Sequence, residues 1–143
     1  RQGKENMKLG SEEIFYINAF NKISGVDAKD VIVHDNNIIF LVKGKDVGKA
    51  IGKSASNIKA LRTRLKKNVE IFGHCEKFEE FVKKALKEVK VKKVEITEKD
   101  GRKKAIVLLE EGERAALFGN MGRIKKIKEI AKRNYGVEEV RIK

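Results

Sequence analysis

The amino-acid sequence predicts an α+β protein in which one structural unit occurs twice, each copy holding three strands and three helices. In both halves the apolar patterns follow the order helix, strand, strand, helix, turn, helix, strand. Both copies also place a glycine turn directly before a basic helix. These turns lie in residues 51–61 (IGKSASNIKAL) and in residues 118–127 (FGNMGRIKKI). A glycine turn at a helix start, with lysine and arginine on the helix, is suited to holding phosphate groups.

The first copy begins with a helix, since Ser11 precedes two glutamates and apolar residues then recur at helical spacing until Gly25. The later elements of this copy are strands over 30–34 and 38–43, a helical turn over 46–50, a helix over 56–67 and a strand over 69–71. The strand over 38–43 is apolar throughout, so it should be the more buried. Two of its residues, Phe40 and Val42, suit either the floor of a binding groove or the core.

The second copy repeats this order after a short join at Gly73-His74. Its predicted elements are a helix over 78–89, strands over 94–97 and 105–109, a helix over 113–118, a helix from about 124 to Gly136 and a strand over 140–142. The chain has no proline, and the join contains no linker rich in glycine or serine. We therefore expect the two copies to be held in a fixed or nearly fixed arrangement.

Position-by-position matches support the repeat. At an offset of 66 residues the apolar pairs are Ile58/Ile124, Leu61/Ile127 and Leu65/Ala131, and the basic pairs are Lys59/Lys125, Arg62/Lys128 and Lys66/Lys132. Gly52 matches Gly119 only at an offset of 67. The second turn should therefore be one residue shorter relative to its helix.

Charge predicts a polyanionic partner. The net charge is +13, and both halves contribute to it. Residues 1–73 contain 14 Lys/Arg and 8 Asp/Glu, and residues 74–143 contain 20 Lys/Arg and 13 Asp/Glu. Basic residues in both halves argue against a globular domain with one basic tail, and they favour nucleic acid as the partner. A surface rich in lysine and glutamate from a heat-adapted organism would give a similar composition.

Cysteine content and hydropathy indicate a cytoplasmic protein. Cys75 is the only cysteine, so no intramolecular disulfide can form and a reducing compartment is expected. The longest apolar runs, 38–42 and 105–109, have five residues each and are too short to span a bilayer. We expect Met7 to be the natural start and residues 1–6 to be left over from cloning.

Neither catalysis nor a metal or other cofactor is expected. No Ser/His/Asp arrangement or acidic metal cluster is present, and adjacent His74 and Cys75 are poorly placed to hold one metal ion. The tripeptide Gly52-Lys53-Ser54 is similar to the end of a nucleotide-binding P-loop, but the required upstream glycine is replaced by Val47. The protein is therefore expected not to be an enzyme and to have no small-molecule substrate.

The pattern I-G-x-x-G-x-x-I between two helices, next to a three-stranded sheet, resembles a KH domain. The match is best over residues 50–61 and 124–136, and the element order resembles the type II form, with a mixed sheet packed against three helices. Two tandem copies, at 8–73 and 74–143, resemble the archaeal NusA family of transcription factors. In contrast to the KH pattern, Ala55 replaces the second glycine of the first loop, and Met121 stands where a cation would contact phosphate better.

The resemblance implies single-stranded RNA as the ligand. KH domains bind about four nucleotides in a groove between the two central helices, the G-x-x-G loop and an adjacent strand. NusA proteins act in elongation, pausing, termination and antitermination, and they contact nascent RNA and RNA polymerase. The RNA-binding residues expected here are Gly52, Lys53, Ser54, Ala55, Lys59, Arg62, Lys66, Gly119, Asn120, Met121, Gly122, Arg123, Lys125 and Lys128.

The second copy is expected to be the stronger site because it keeps both Gly119 and Gly122. Two other functions remain open from the sequence. One is a KH-bearing ribosomal or ribosome-assembly protein. The other is a protein-interaction module whose altered loops no longer bind RNA.

Overall fold

The computed structural model describes residues 10–143, so the expectations about residues 1–6 and Met7 lie outside the described residues. The described residues form two compact units, the first ending at Cys75 and the second beginning at Glu76. Within residues 10–143, each unit contains three α-helices and one three-stranded sheet. The predicted α+β class is therefore confirmed.

The first unit follows the predicted order of elements. They are α1 (Ser11–Ser24), β1 (Asp30–His34), β2 (Asn37–Lys43), α2 (Val47–Ile51), α3 (Ser56–Leu65) and β3 (Asn68–His74), with single 3₁₀ turns at Gly44–Asp46 and Lys53–Ala55. Helix α3 ends two residues earlier than predicted. Lys66 adopts a left-handed conformation with φ 57°, and its N–H donates to the carbonyl of Arg62 at 2.8 Å. This left-handed residue closes the helix.

The first sheet is mixed, with β2 at its centre. Strand β1 runs antiparallel to β2 and β3 runs parallel to it, so that Phe40 lies between Val31 and Ile71. All residues of β2 from Ile38 to Val42 are buried, as predicted for this strand. Phe40 and Val42 both belong to the hydrophobic core of the unit.

The core of the first unit lies between the helices and one face of this sheet. The rings of Phe20 on α1 and Phe40 on β2 stack with centroids 4.3 Å apart. Leu61 and Leu65 of α3 join the same cluster. Because one face of α3 is packed in this way, its basic residues lie on the opposite, exposed face.

The second unit repeats the topology. Its elements are α4 (Phe78–Ala85), β4 (Val91–Lys99), β5 (Arg102–Leu109), α5 (Arg114–Phe118), α6 (Met121–Asn134) and β6 (Val137–Ile142). Strand β4 is antiparallel to β5, and β6 is parallel to β5. The apolar stripe of α6 is buried and consists of Ile124, Ile127, Ile130 and Ala131.

Helix α4 is four residues shorter than predicted. The chain leaves the helix at Leu86, with φ −94° and ψ 63°, and the N–H of Val89 donates to the carbonyl of Leu86 at 3.2 Å. Both residues are nevertheless buried. They therefore continue the apolar spacing of a helix although they lie in a turn.

The predicted end of α6 is confirmed. The N–H of Tyr135 donates to the carbonyl of Ala131 at 3.0 Å, and Gly136 follows with a left-handed φ of 66°. The ring of Tyr135 lies 5.1 Å from the rings of both Phe78 and Phe81. This aromatic cluster connects the end of α6 to α4.

Candidate nucleic-acid interface

The first loop requires glycine at its first position. Gly52 has φ 83°, and a Cβ there would lie 2.8 Å from Ser56 Oγ and 2.9 Å from the backbone nitrogen of Asn57. The side-chain amide of Asn57 donates to the carbonyl of Lys49 at 3.1 Å and so ties α3 to the end of α2. Gly52 therefore allows the close approach of two helices.

The next residues of this loop hold an uncommon backbone conformation. Ser54 has φ 54° and Ala55 has φ 59°, both in the left-handed region. The N–H of Ala55 donates to the carbonyl of Gly52 at 3.0 Å, which closes a tight turn. Turns of this kind can direct successive N–H groups into one concavity that suits an anion. Lys53 and Ser54 are exposed at its surface.

The basic face of α3 continues from this loop. Lys59, Arg62 and Lys66 are exposed. Arg62 and Lys66 also line an open recess of about 390 Å³ at the end of the helix. The remaining lining residues are Asn36, Lys67 and Asn68. Polar and cationic side chains thus surround this recess, as binding of a phosphate would require.

The second loop has a different geometry. Gly119 is right-handed, with φ −79° and ψ −6°, and Gly122 lies inside the first turn of α6. A Cβ at Gly122 would meet nothing within 4 Å. Only Gly119 and Asn120 separate α5 from α6, whereas four residues separate α2 from α3. The second loop is therefore shorter, as predicted, but by two residues where the offset predicted one. Neither glycine is sterically required there.

The N-terminus of α6 is open. Asn120 precedes the helix without capping it, because its side-chain amide donates backward to the carbonyl of Ala116 at 2.8 Å. The first N–H groups of a helix have no partner within the helix. In this position those of Met121 and Gly122 are suited to an anion.

Arg123 has a structural contact in addition to its predicted role. Its Nε donates to the carbonyl of Ala85, the last residue of α4, and the side chain is half-buried. The exposed cations of α6 are instead Lys125, Lys128 and Lys132. The structure therefore places Arg123 between α4 and α6 and leaves the three lysines on the outer face.

A groove of about 440 Å³ lies beside the second loop. It is bounded by the end of α5, the first two turns of α6 and the end of β6. Its apolar lining residues are Leu117, Met121, Ile124, Val140 and Ile142, and its cations are Lys128, Arg141 and Lys143. Of these, Met121 and Lys128 were predicted as site residues.

Arg141 is oriented by a neighbouring carboxylate. Its Nε donates to Glu139 Oε2 at 2.6 Å, and Lys104 Nζ lies 3.6 Å from the other oxygen of the same carboxylate. The hydrogen bond from Arg141 lowers the pKa of Glu139, and the same bond raises the pKa of Arg141. Glu139 therefore stays ionised to a lower pH than an isolated glutamate and keeps its hold on Arg141.

The residues from β6 were not predicted as site residues. Arg141 pairs with Ile106 across the sheet. It is distant from Lys128 in the sequence, and the two residues line the same groove only because the folded chain brings β6 beside α6. The signal that could have identified the residues of β6 is the expected KH groove, in which an adjacent strand forms one wall. The sequence around Val140 shows only the alternation of an ordinary strand.

In residues 10–143, no group of three or more His, Cys, Asp or Glu side chains is placed to hold a metal ion. Within the same residues, none of the helices combines the length and apolar character needed to cross a membrane.

The first unit matches a known family. Residues 15–76 match the KH domain, a range that begins within α1, continues through β3 and includes the loop at Gly52. The crystal structure of APE1850 resembles the whole fold, with a TM-score of 0.85 and 33% sequence identity over 94% of this chain and 100% of that one.

Archaeal proteins of one name are similar along nearly the full chain. The probable transcription termination protein NusA of Methanocaldococcus jannaschii is 27% identical over 95% of this chain and 75% of its own length. The protein of the same name from Methanococcus vannielii is 28% identical over 95% of this chain and 79% of its own length. The one from Halobacterium salinarum is 24% identical over 95% of this chain and 98% of its own. With its KH domain and this set of relatives, the chain belongs to the archaeal NusA-like proteins.

Proposed function

We propose that this chain is a single-stranded RNA-binding transcription factor that acts in elongation, termination and antitermination. The two segments predicted as domains, residues 8–73 and 74–143, would work as tandem type II KH domains. Support comes from the repeated mixed sheet and from relatives called probable transcription termination protein NusA.

The groove of the second unit is the observation that carries this proposal. Its floor is apolar, which suits the faces of unstacked bases, and Lys128, Arg141 and Lys143 supply positive charge beside it. The open N-terminus of α6 lies at one end, where Met121 belongs to both the groove and the first helical turn. A strand of RNA could therefore place phosphates at the loop and bases over the groove.

The proposed ligand is the nascent transcript, and RNA polymerase is the proposed protein partner. Both would be met in the cytoplasm, where an archaeal transcription factor acts. Base selectivity should be modest, because the cations of the groove and of α3 are suited to phosphate and the apolar residues accept any base.

A salt-dependent titration tests the binding mode. Fluorescence anisotropy with a labelled single-stranded RNA oligomer should show affinity that decreases steeply as salt rises. With about four to six phosphates contacted, the slope of log affinity against log salt should be roughly −3 to −4. Affinity that is unchanged between low and physiological salt would contradict an electrostatic contact with the RNA backbone.

Paired variants of the two loops test where the RNA binds. A carboxylate next to the phosphate repels it, so Gly119→Asp with Asn120→Asp should weaken binding. Gly119 is exposed and Asn120 is half-buried, so the fold should remain, as circular dichroism would show. The matched change in the first loop is Lys53→Asp with Ser54→Asp.

We propose that the second loop is the stronger site, so its variant should lose more affinity. Loss of binding with the first-loop variant alone would reverse this ranking. If neither variant changes affinity, the loops do not contact RNA and the protein-interaction function becomes the better explanation. Co-purification with ribosomes instead of polymerase would favour a ribosomal role.

A further inference from the structure

Phe118 is the most exposed of the large apolar side chains in the described residues. It is the last residue of α5, and 83% of its surface is open to solvent. Single exposed apolar residues are common on protein surfaces and need no explanation by themselves. The position of Phe118 is what distinguishes it, because Gly119 and the second loop follow immediately.

Phe118 lies next to the groove that we describe above. Its chain neighbour Leu117 lines that groove, and so does Met121, which is itself 51% exposed. An exposed aromatic ring, an exposed thioether and a leucine that lines the groove therefore occur within five consecutive residues. Packing within the unit does not explain why an aromatic ring stands at this position, because the neighbouring residues cover only a small part of the ring's surface.

The charge around this apolar surface favours RNA as its occupant. The cations that line the same groove are Lys128, Arg141 and Lys143. Lys125, which lies on α6 with Lys128, is also exposed. A strand with one negative charge per nucleotide would be attracted here, and its unstacked bases offer flat faces to an aromatic ring. An apolar protein segment would gain nothing from these cations.

We propose that Phe118 stacks on a nucleobase of the single-stranded RNA bound in the groove of the second unit. This inference rests on the proposed RNA-binding function and adds to it a stacking contact outside the glycine loop. Every base has a flat face of this kind, so the contact raises affinity without selecting a sequence.

Substitution of Phe118 with matched controls tests the contact. Base stacking on an aromatic side chain is worth about 5- to 150-fold in affinity when the side chain is cut back to alanine, so Phe118→Ala should weaken binding by that factor. Phe118→Tyr keeps the ring and should retain affinity. Phe118→Leu keeps apolar surface without a ring, so it should lose most of the affinity that stacking contributes. The control is Phe15→Ala, because Phe15 is also an exposed phenylalanine, at 53%, in the first unit.

A fluorescence measurement reports the stacking directly. The chain contains no tryptophan, so Phe118→Trp introduces a single reporter. Its emission should be quenched by the RNA at the concentrations that saturate binding, and the emission of Phe15→Trp should not change.

The outcomes separate the two proposals. If the unaltered chain binds RNA but Phe118→Ala binds equally well, or Phe118→Trp is not quenched, the stacking contact is refuted and RNA binding stands. Equal loss with Phe15→Ala would also refute it, because the effect would then not be local. If the unaltered chain binds no RNA, both proposals fail.

Discussion

Replacing Ala55 by glycine should stabilise the first unit, which is unusual for a glycine substitution. Ala55 has φ 59° and ψ 28°, and Ser54 before it has φ 54°. A left-handed conformation costs a residue with a Cβ roughly 1–2 kcal/mol, because the Cβ approaches the following carbonyl oxygen. Glycine has no such contact.

The expected gain follows from two opposing terms. Removing the unfavourable contact recovers roughly 1–2 kcal/mol, while glycine gives the unfolded chain more freedom and costs roughly 0.5–1 kcal/mol. The free energy of unfolding of Ala55→Gly should therefore increase by about 0.75 kcal/mol, the difference between the midpoints of these two ranges. The loop keeps its hydrogen bond, because the N–H of residue 55 still donates to the carbonyl of Gly52.

The control makes the same chemical change in a right-handed position. Ala60 is exposed in the middle of α3, where glycine costs about 1 kcal/mol relative to alanine. Urea unfolding followed by circular dichroism gives both free energies by linear extrapolation. The two variants should shift in opposite directions from the unaltered chain. If Ala55→Gly is destabilised as much as Ala60→Gly, the left-handed conformation of this loop is wrong.

Three further predictions concern the second unit and the ligand. Arg123→Lys should lower the free energy of unfolding by about 1.5–3 kcal/mol, since the Nε contact to the carbonyl of Ala85 is lost; urea unfolding checks this, and an unchanged midpoint would refute it. Glu139→Gln should increase RNA affinity at neutral pH, because the carboxylate that holds Arg141 is removed, and the gain should disappear in Glu139→Gln with Arg141→Gln. An RNA of about eight nucleotides should bind more than tenfold tighter than one of four in the same anisotropy assay if both units hold one strand, whereas equal affinity would mean that a single groove is used.

The periodic parts of the chain were predictable because burial imposes the period. The stripe at Ile124, Ile127 and Ala131 recurs at helical spacing and is buried as expected. The apolar run of β2 likewise identified the central strand. In both cases each residue reports its own environment, so the sequence alone was sufficient.

The loops and the groove were harder to predict because they depend on residues distant in the chain. The left-handed Ser54 and Ala55 arise from closing α3 onto α2 across Gly52, and nothing in those two residue types favours that conformation. Leu86 is buried like a helical residue although it lies in a turn. The part played by Arg141 depends on the pairing of β6 with β5, which the sequence does not encode locally.

The parallel pairing of the last two strands in each sheet has a consequence for how the glycine loops can change. A parallel pair cannot be joined by a tight hairpin and needs a long connection, here residues 44–67 in the first unit and 110–136 in the second. Each glycine loop lies within this connection, between two helices and away from the strand register. Its length and composition can therefore vary while the sheet keeps its pairing, as the two copies within this one chain illustrate. Exchanging residues 52–55 with residues 119–120 would transfer the turn proposed to contact RNA between two otherwise unaltered frameworks.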